Sequence, residues 1–289
     1  MANKEFNYNP EDLKKVQETE VEILKEFIRV CEKHNLEWIA IGGTALGAVR
    51  HAGFIPWDDD IDVAMPRKDY NYFLEVANKD LDNGFFFQNH TTEPGYSGYY
   101  SKIRKEGTAF VEEGVKKLKM HQGIFIDIFP LDNITDDPKE YKKFHRKLYF
   151  LYQIYTAKTK VGVASNQKHK ILGKLIRNII RIICLPMNED EAFRKLDRQF
   201  QLYKDCKTSS MGFAYLAGMT LYYKEFYPIR KMKFEGFDVN MPNDYDAYLK
   251  RDYGDYMTLP PLEKRVTHKP LILSFTDDYN GVWDKLQKL

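Results

Sequence analysis

At 289 residues, with 43% apolar and 30% charged side chains, the chain can bury a sizeable core as one large domain or two small ones, and its composition is that of an ordinary soluble globular protein. Cys31, Cys184 and Cys206 lie far apart without metal-ligand spacing, which argues against disulfide stapling and fits a reducing cytoplasm; neither a secretory leader nor a membrane span is expected, because the N-terminus lacks an apolar core and no run of about 18 uncharged apolar residues occurs. The net charge of +2 hides an asymmetry: eleven Lys and Arg and no acid fall between Tyr141 and Asn188, leaving −9 for the rest.

In chain order, Asn9-Pro10-Glu11-Asp12 has the form of a helix start, and Leu13, Val16, Ile23, Leu24, Phe27, Ile28 and Cys31 continue at helical spacing to about His34. Nothing in this helix suggests chemistry. A short apolar run, Trp38 to Ile41, then enters a Gly42-Gly43 turn with Thr44 behind it, and Ala45 to Arg50 reads as a short helix. The chain returns as a strand in which Asp60 and Asp62 share one face and Ile61 and Val63 point into a core. Pro66 opens a helix to about Ala77, followed by strands at Gly84–Asn89, Tyr99–Lys105 and Thr108–Val111, with a loop from Thr91 to Ser101. Gly123 to Pro130 is an apolar strand with Asp127 at its centre, and Asp132 beyond the Pro is read as capping the following turn.

From Pro138 the pattern turns helical, with a break at Gly162 to Asn166 and a basic amphipathic helix over 166–185 carrying Lys168, Lys170, Lys174, Arg177 and Arg181. Two readings of that helix stand side by side: peripheral contact with an anionic membrane, or packing on the domain with a solvated basic face. Glu189 to Cys206 is a further helix, Leu221 to Tyr223 a short strand, and Arg230 to Asn240 a hairpin turning at Glu235-Gly236. Asn243 is placed as the cap of a helix through Tyr253, and Gly254 to Leu289 as a tail that wraps back. The division expected is a catalytic core over 1–137, a basic helical region over 138–210 and a third region over 211–289 that packs back on the core.

The chemistry concentrates in Trp38 to Pro66. Side-by-side carboxylates repel unless a cation lies between them, and Mg²⁺ or Mn²⁺ prefers hard oxygen ligands, so Asp60 and Asp62 are candidate metal ligands. A lone acid in a buried strand is costly unless paired or holding a cation, which makes Asp127 the third. Gly42 and Gly43, lacking side chains, would let backbone N–H groups and Thr44 cradle a phosphate.

Strand, Gly-Gly, short helix and an Asp-x-Asp strand resemble the nucleotidyltransferase superfamily with its polymerase-beta-like palm, an α+β fold. More closely, GGTALGAVRHAGFIPWDDDIDVAMPRKDY resembles the signature of the LicD family, bacterial phosphocholine transferases that decorate teichoic acids and lipopolysaccharides and are related to the fukutin-type ribitol-phosphate transferases. Lys102-Ile103-Arg104, the Gly123–Asp132 stretch and Tyr253 to His268 extend the match over most of the chain. The resemblance implies a CDP-alcohol donor, CDP-choline favoured, and a glycan or lipid-linked glycan acceptor; the cysteine pattern and the basic helix place the expected reaction in the cytoplasm or peripherally at the inner membrane face. Arg50, Lys102 and Arg104 are then candidates for the leaving phosphate, and His51 and His268 match family positions for phosphate binding or proton transfer. Asp58, sharing by alternation the face of Asp60 and Asp62, is a candidate base for the acceptor hydroxyl or a support behind the metal ligands. Trp57, with Tyr96, Tyr99 and Tyr100, is a candidate aromatic cage for a quaternary ammonium. Ribitol or glycerol in place of choline, a nucleoside triphosphate donor releasing pyrophosphate, and a nucleic-acid-binding role for the basic segment are the rival readings; the continuous apolar face of that segment and the acidity of the rest argue against nucleic acid.

Overall fold

The computed structural model describes residues 9–159, 178, 180, 182, 186–215, 219–265, 267, 268 and 270–276; the predicted basic helix over 166–185 lies largely outside them. Asn9 accepts the N–H of Asp12 and Pro10 takes the first helical position, so α1 (Pro10–His34) starts where the sequence signals it. It is followed by β1 (Ile39–Ala40), α2 (Gly42–His51), β2 (Asp62–Pro66), α3 (Arg67–Asp80), β3 (Phe85–Gln88), β4 (Ser101–Lys105), β5 (Ala109–Val111) and β6 (Phe125–Ile134). The second half adds α4 (Pro138–Lys158), α5 (Glu189–Phe200), β7 (Ser210–Gly212), β8 (Thr220–Tyr222), α6 (Tyr223–Phe226), β9 (Arg230–Phe234), β10 (Phe237–Met241), α7 (Tyr245–Tyr253) and β11 (Ile272–Ser274). The fold is α+β. Its main sheet runs in the order β1-β2-β6-β4-β3, with β7 and then β8 continuing from β6, and only the β2–β6 pair is parallel.

Register decides what each face of this sheet carries. Ile126, Ile103 and Phe87 are cross-strand neighbours, all buried, and Phe73 of α3 meets Phe87 edge-on at 5.3–5.6 Å spacing in a stack that continues through Phe27 of α1. That row faces the helical layer. Because side chains alternate, the next row, Asp62, Asp127, Lys102 and Gln88, emerges on the opposite face.

Several expectations need correction. The Gly pair does not precede α2 as a turn but forms its first residues, with Ile41 at the cap. β2 begins only at Asp62, so Asp58 and Asp60 lie in irregular chain and strand alternation does not set their direction. β6 continues past Pro130 to Ile134, because that Pro falls between the stretch paired with β4 and the stretch paired with β7, where its missing N–H breaks no bond to either. Asp132 therefore caps no turn; it sits buried in β6 and receives both Nε and Nη2 of Arg67. Asp244, not Asn243, caps α7, accepting the N–H of Ala247 at 3.0 Å, while Asn243 accepts Nε of Arg230. The helix expected to reach Cys206 ends at Phe200, and turns carry the chain on.

Candidate active site

Three strands bring Asp62, Asp127 and Lys102 side by side. Lys102 Nζ stands 2.6 Å from Asp127 Oδ1 and 3.3 Å from the centre of the Phe125 ring, yet that carboxylate oxygen, fully buried, has no well-aligned hydrogen bond. Burial pushes Asp127 up despite the ammonium beside it, and burial pulls Lys102 down despite the carboxylate.

The loop before β2 adds three more acids. Gln17 of α1 holds it, donating Nε2 to the Asp58 carbonyl at 2.8 Å. Burial, then the charges of Asp60 and Asp59, push Asp58 up to about 8, while burial raises Asp60, and burial with the charges of Asp60 and Asp127 holds Asp62 well above the usual carboxylate range. Both glycines of α2 are needed at this point. A Cβ on Gly43 would lie 2.5 Å from Asp58 Oδ2, and one on Gly42, whose φ is +55°, 3.1 Å from Asp62 Oδ2. The positive end of α2 thus sits against two carboxylates, the sign that a helix N-terminus favours.

This changes the expected phosphate cradle. The N–H of Gly42 donates to Tyr248 Oη at 2.9 Å, and Thr44, buried, uses its Oγ1 to accept the Asp62 N–H at 2.8 Å. One group ties α2 to α7 and the other fixes the strand that carries Asp62.

The chain beyond α7 closes over this face. Asp59, 1% exposed, accepts the backbone N–H of His268 through both oxygens and meets its Nδ1 at 3.1 Å, and His268 Nε2 reaches to 3.8 Å of Asp60 Oδ2. These acids lift the imidazolium to about 10, with the Asp59 hydrogen bond the largest cause. His268 therefore joins the cluster. Arg50 and His51, at the end of α2, hold each other instead: Arg50 Nε donates to His51 Nε2 at 2.9 Å and its Nη1 to the Tyr256 carbonyl at 2.7 Å. Arg104, 1% exposed, donates to Gln88 Oε1 and the Gly123 carbonyl, both at 2.6 Å, so both bonded nitrogens serve the sheet rather than a ligand.

Of the four candidate cage aromatics, Trp57 has its ring 4.5 Å under the Arg265 guanidinium and Tyr100 has its ring 5.4 Å from Lys102 Nζ. Tyr96 and Tyr99 are buried, Tyr99 stacking on Phe200 at 3.9 Å, and Tyr100 packs on Phe129. A separate cleft of about 270 Å³ between α3, the loop before β4 and α5 is lined by Arg67, His90, Tyr100, Phe193 and Asp197 among others, and includes neither Asp127 nor Asp58 to Asp62.

Two residues escaped the sequence reading. Asp59 is not among the candidates above, and Glu20 lies in a helix whose pattern suggests no chemistry. Glu20 is 2% exposed with an unpartnered Oε2, and burial followed by the charges of Asp60, Asp59 and Asp58 holds it well above its usual value. The legible signal was an acid on the apolar stripe of α1, among Val16, Ile23, Leu24 and Phe27.

The donor chemistry suits a hard divalent cation, since carboxyl oxygens crowd together and one buried oxygen of Asp127 lacks an aligned partner. As placed, no three His, Cys, Asp or Glu side chains among the described residues converge tightly enough to hold one ion.

Residues 35–161 match the family model described as LicD/FKTN/FKRP, nucleotidyltransferase domain. The chain is also 31% identical over 261 residues to the lipopolysaccharide cholinephosphotransferase LicD of Haemophilus influenzae, an alignment covering 85% of this chain and 91% of that one. The chain belongs to the LicD family. Shorter matches, 36% and 40% identical over 55 residues and 19% of this chain, reach uncharacterized proteins of Rickettsia typhi and Rickettsia prowazekii. The LicD-family domain contains Asp58, Asp60, Asp62, Lys102 and Asp127, whereas Gln17, Glu20, Arg265 and His268 lie outside the matched residues. No helix among the described residues of this LicD-family chain is long and apolar enough to cross a membrane.

Proposed function

We propose that this chain transfers phosphocholine from CDP-choline to a hydroxyl of a cell-surface glycan precursor, a lipopolysaccharide or teichoic acid, and releases CMP. The observation that carries the reading is the 31% identity over 85% of the chain to a lipopolysaccharide cholinephosphotransferase, combined with the gathered acids. The acceptor oxygen attacks the phosphorus that bears choline, the P–O bond to CMP breaks, and CMP leaves with the electron pair.

Asp58 is the candidate to accept the hydroxyl proton: burial and the neighbouring carboxylates push it up to about 8, which makes it a stronger base than an ordinary carboxylate, in its proton-accepting form as pH rises through that value. Lys102 and the imidazolium of His268 balance part of the negative charge around it. Asp60, Asp62 and Asp127 would hold Mg²⁺ or Mn²⁺, which supplies charge neutralisation at the transferring phosphoryl oxygens. The crowding of these acids supports that assignment, and it predicts that Mg²⁺ raises the thermal midpoint of the wild type but not of Asp62→Asn.

Phosphorus NMR of the protein with CDP-choline, CDP-ribitol, CDP-glycerol or CTP, each with a glycan acceptor, tests the donor. Loss of the CDP-choline diphosphate signal with CMP appearing is expected, and Asp62→Ala should lower turnover by at least ~10³-fold. Pyrophosphate from CTP alone would overturn the reading.

A further inference from the structure

Two arginines beside the acid loop have no carboxylate within ion-pair distance among the described residues. Arg50 donates to His51 and to the Tyr256 carbonyl; Arg265 donates Nε to the Pro260 carbonyl at 3.1 Å and lays its guanidinium 4.5 Å over the Trp57 ring. Burial chiefly, and then the like charge of Arg265, pull Arg50 down. Neutral carbonyls and a ring face are weak company for paired guanidinium groups, whose fork suits two phosphate oxygens. Trp57 directly precedes the acid loop and Arg265 lies three residues before His268, which bonds Asp59, so the ring contact is made by the two segments that meet at that loop.

We propose that Arg265 is an exchangeable occupant of the Trp57 face: in the free protein its guanidinium stands where a quaternary ammonium of the substrate would stack, and on donor binding it leaves the ring to join Arg50 on the diphosphate. The inference rests on the phosphocholine reading above and deepens it. A trimethylammonium has no N–H to donate, so an aromatic face is its natural partner, while a guanidinium can use either the ring or an anion. One cation is exchanged for another on Trp57, and the displaced one gains the negative charge that arrived with the ligand. A ribitol or glycerol head would leave the ring to Arg265 and gain no such exchange.

The test uses the full chain, following the choline methyl protons by NMR as choline is titrated in, alone and with saturating CDP. Wild type, Arg265→Ala and Trp57→Leu are compared, with circular dichroism confirming that each is folded. Arg265→Ala should bind choline roughly three- to tenfold more tightly, with an upfield ring-current shift, and CDP roughly tenfold more weakly. In the wild type CDP should strengthen choline binding, and this coupling should vanish in Arg265→Ala. Trp57→Leu should lose the upfield shift. Choline bound equally by wild type and Arg265→Ala would overturn the exchange while leaving phosphocholine transfer standing. Absence of the upfield shift from wild type and Arg265→Ala would remove choline from Trp57 and overturn the proposal; CDP-choline consumption in the phosphorus spectra then separates that result from failure of the wider reading.

Discussion

Asp59 and His268 form a pair whose protonation is opposite to habit. Free imidazole is mostly neutral at pH 7.5, but here the Asp59 bond, with Asp60 nearby, lifts it to about 10, so the ring stays charged throughout the neutral range. A group raised in the folded state contributes stability that is fully present below its ordinary value of 6.5 and is lost as pH rises through the folded value. The side chain is 49% exposed, so solvent screens the pair and the contribution is small. We expect the His268 ring proton signal to titrate near 10 in the wild type and to move down by one unit or more in Asp59→Asn. A wild-type titration near 6.5 would show that the pair does not form in solution.

Among elements, α1 departs most from its sequence-based reading. Its cap and apolar stripe were legible because Asn9-Pro10 and the 3.6-residue recurrence are local signals, and the β9–β10 turn at Glu235-Gly236 was legible for the same reason. What was illegible is what α1 packs against. Gln17 and Glu20 acquire meaning only when the loop from Asp58 to Asp60 is laid beside them, and no spacing within the helix encodes that contact. Likewise Lys102 and Arg104 look equivalent along β4, and the sequence carried both to the phosphate; the register sends one to Asp127, while Gln88 and Gly123 claim the other. Glu20→Leu should stabilise the protein by about 1–3 kcal/mol in urea unfolding at pH 7.5, because it replaces an unpartnered buried carboxyl by a side chain that suits the stripe. A lower urea midpoint would show that Glu20 is paired in the native state.

At the scale of the molecule, the acid face is assembled from segments distant in sequence, and its outer wall comes last. Tyr248 from α7 holds Gly42, the Tyr256 carbonyl receives Arg50, His268 meets Asp59, and β11 pairs with β5. Ending the chain after Gly254 removes the last three contacts but leaves every strand of the main sheet in place. Such a truncation should keep the far-ultraviolet circular dichroism of an α+β protein and lose turnover of CDP-choline; retained turnover would mean that the tail is not part of the site.

The pairing of Asp59 with a residue 209 positions downstream has a temporal meaning. A ribosome delivers the chain from one end, so the helical layer, the parallel β2–β6 pair and the row of acids are all available for folding well before His268 emerges. During that interval the nascent protein carries its chemistry in an unfinished form, with a negative face and no imidazolium to offset it. The Asp59–His268 contact thus forms only after the strands that carry the acids have been made.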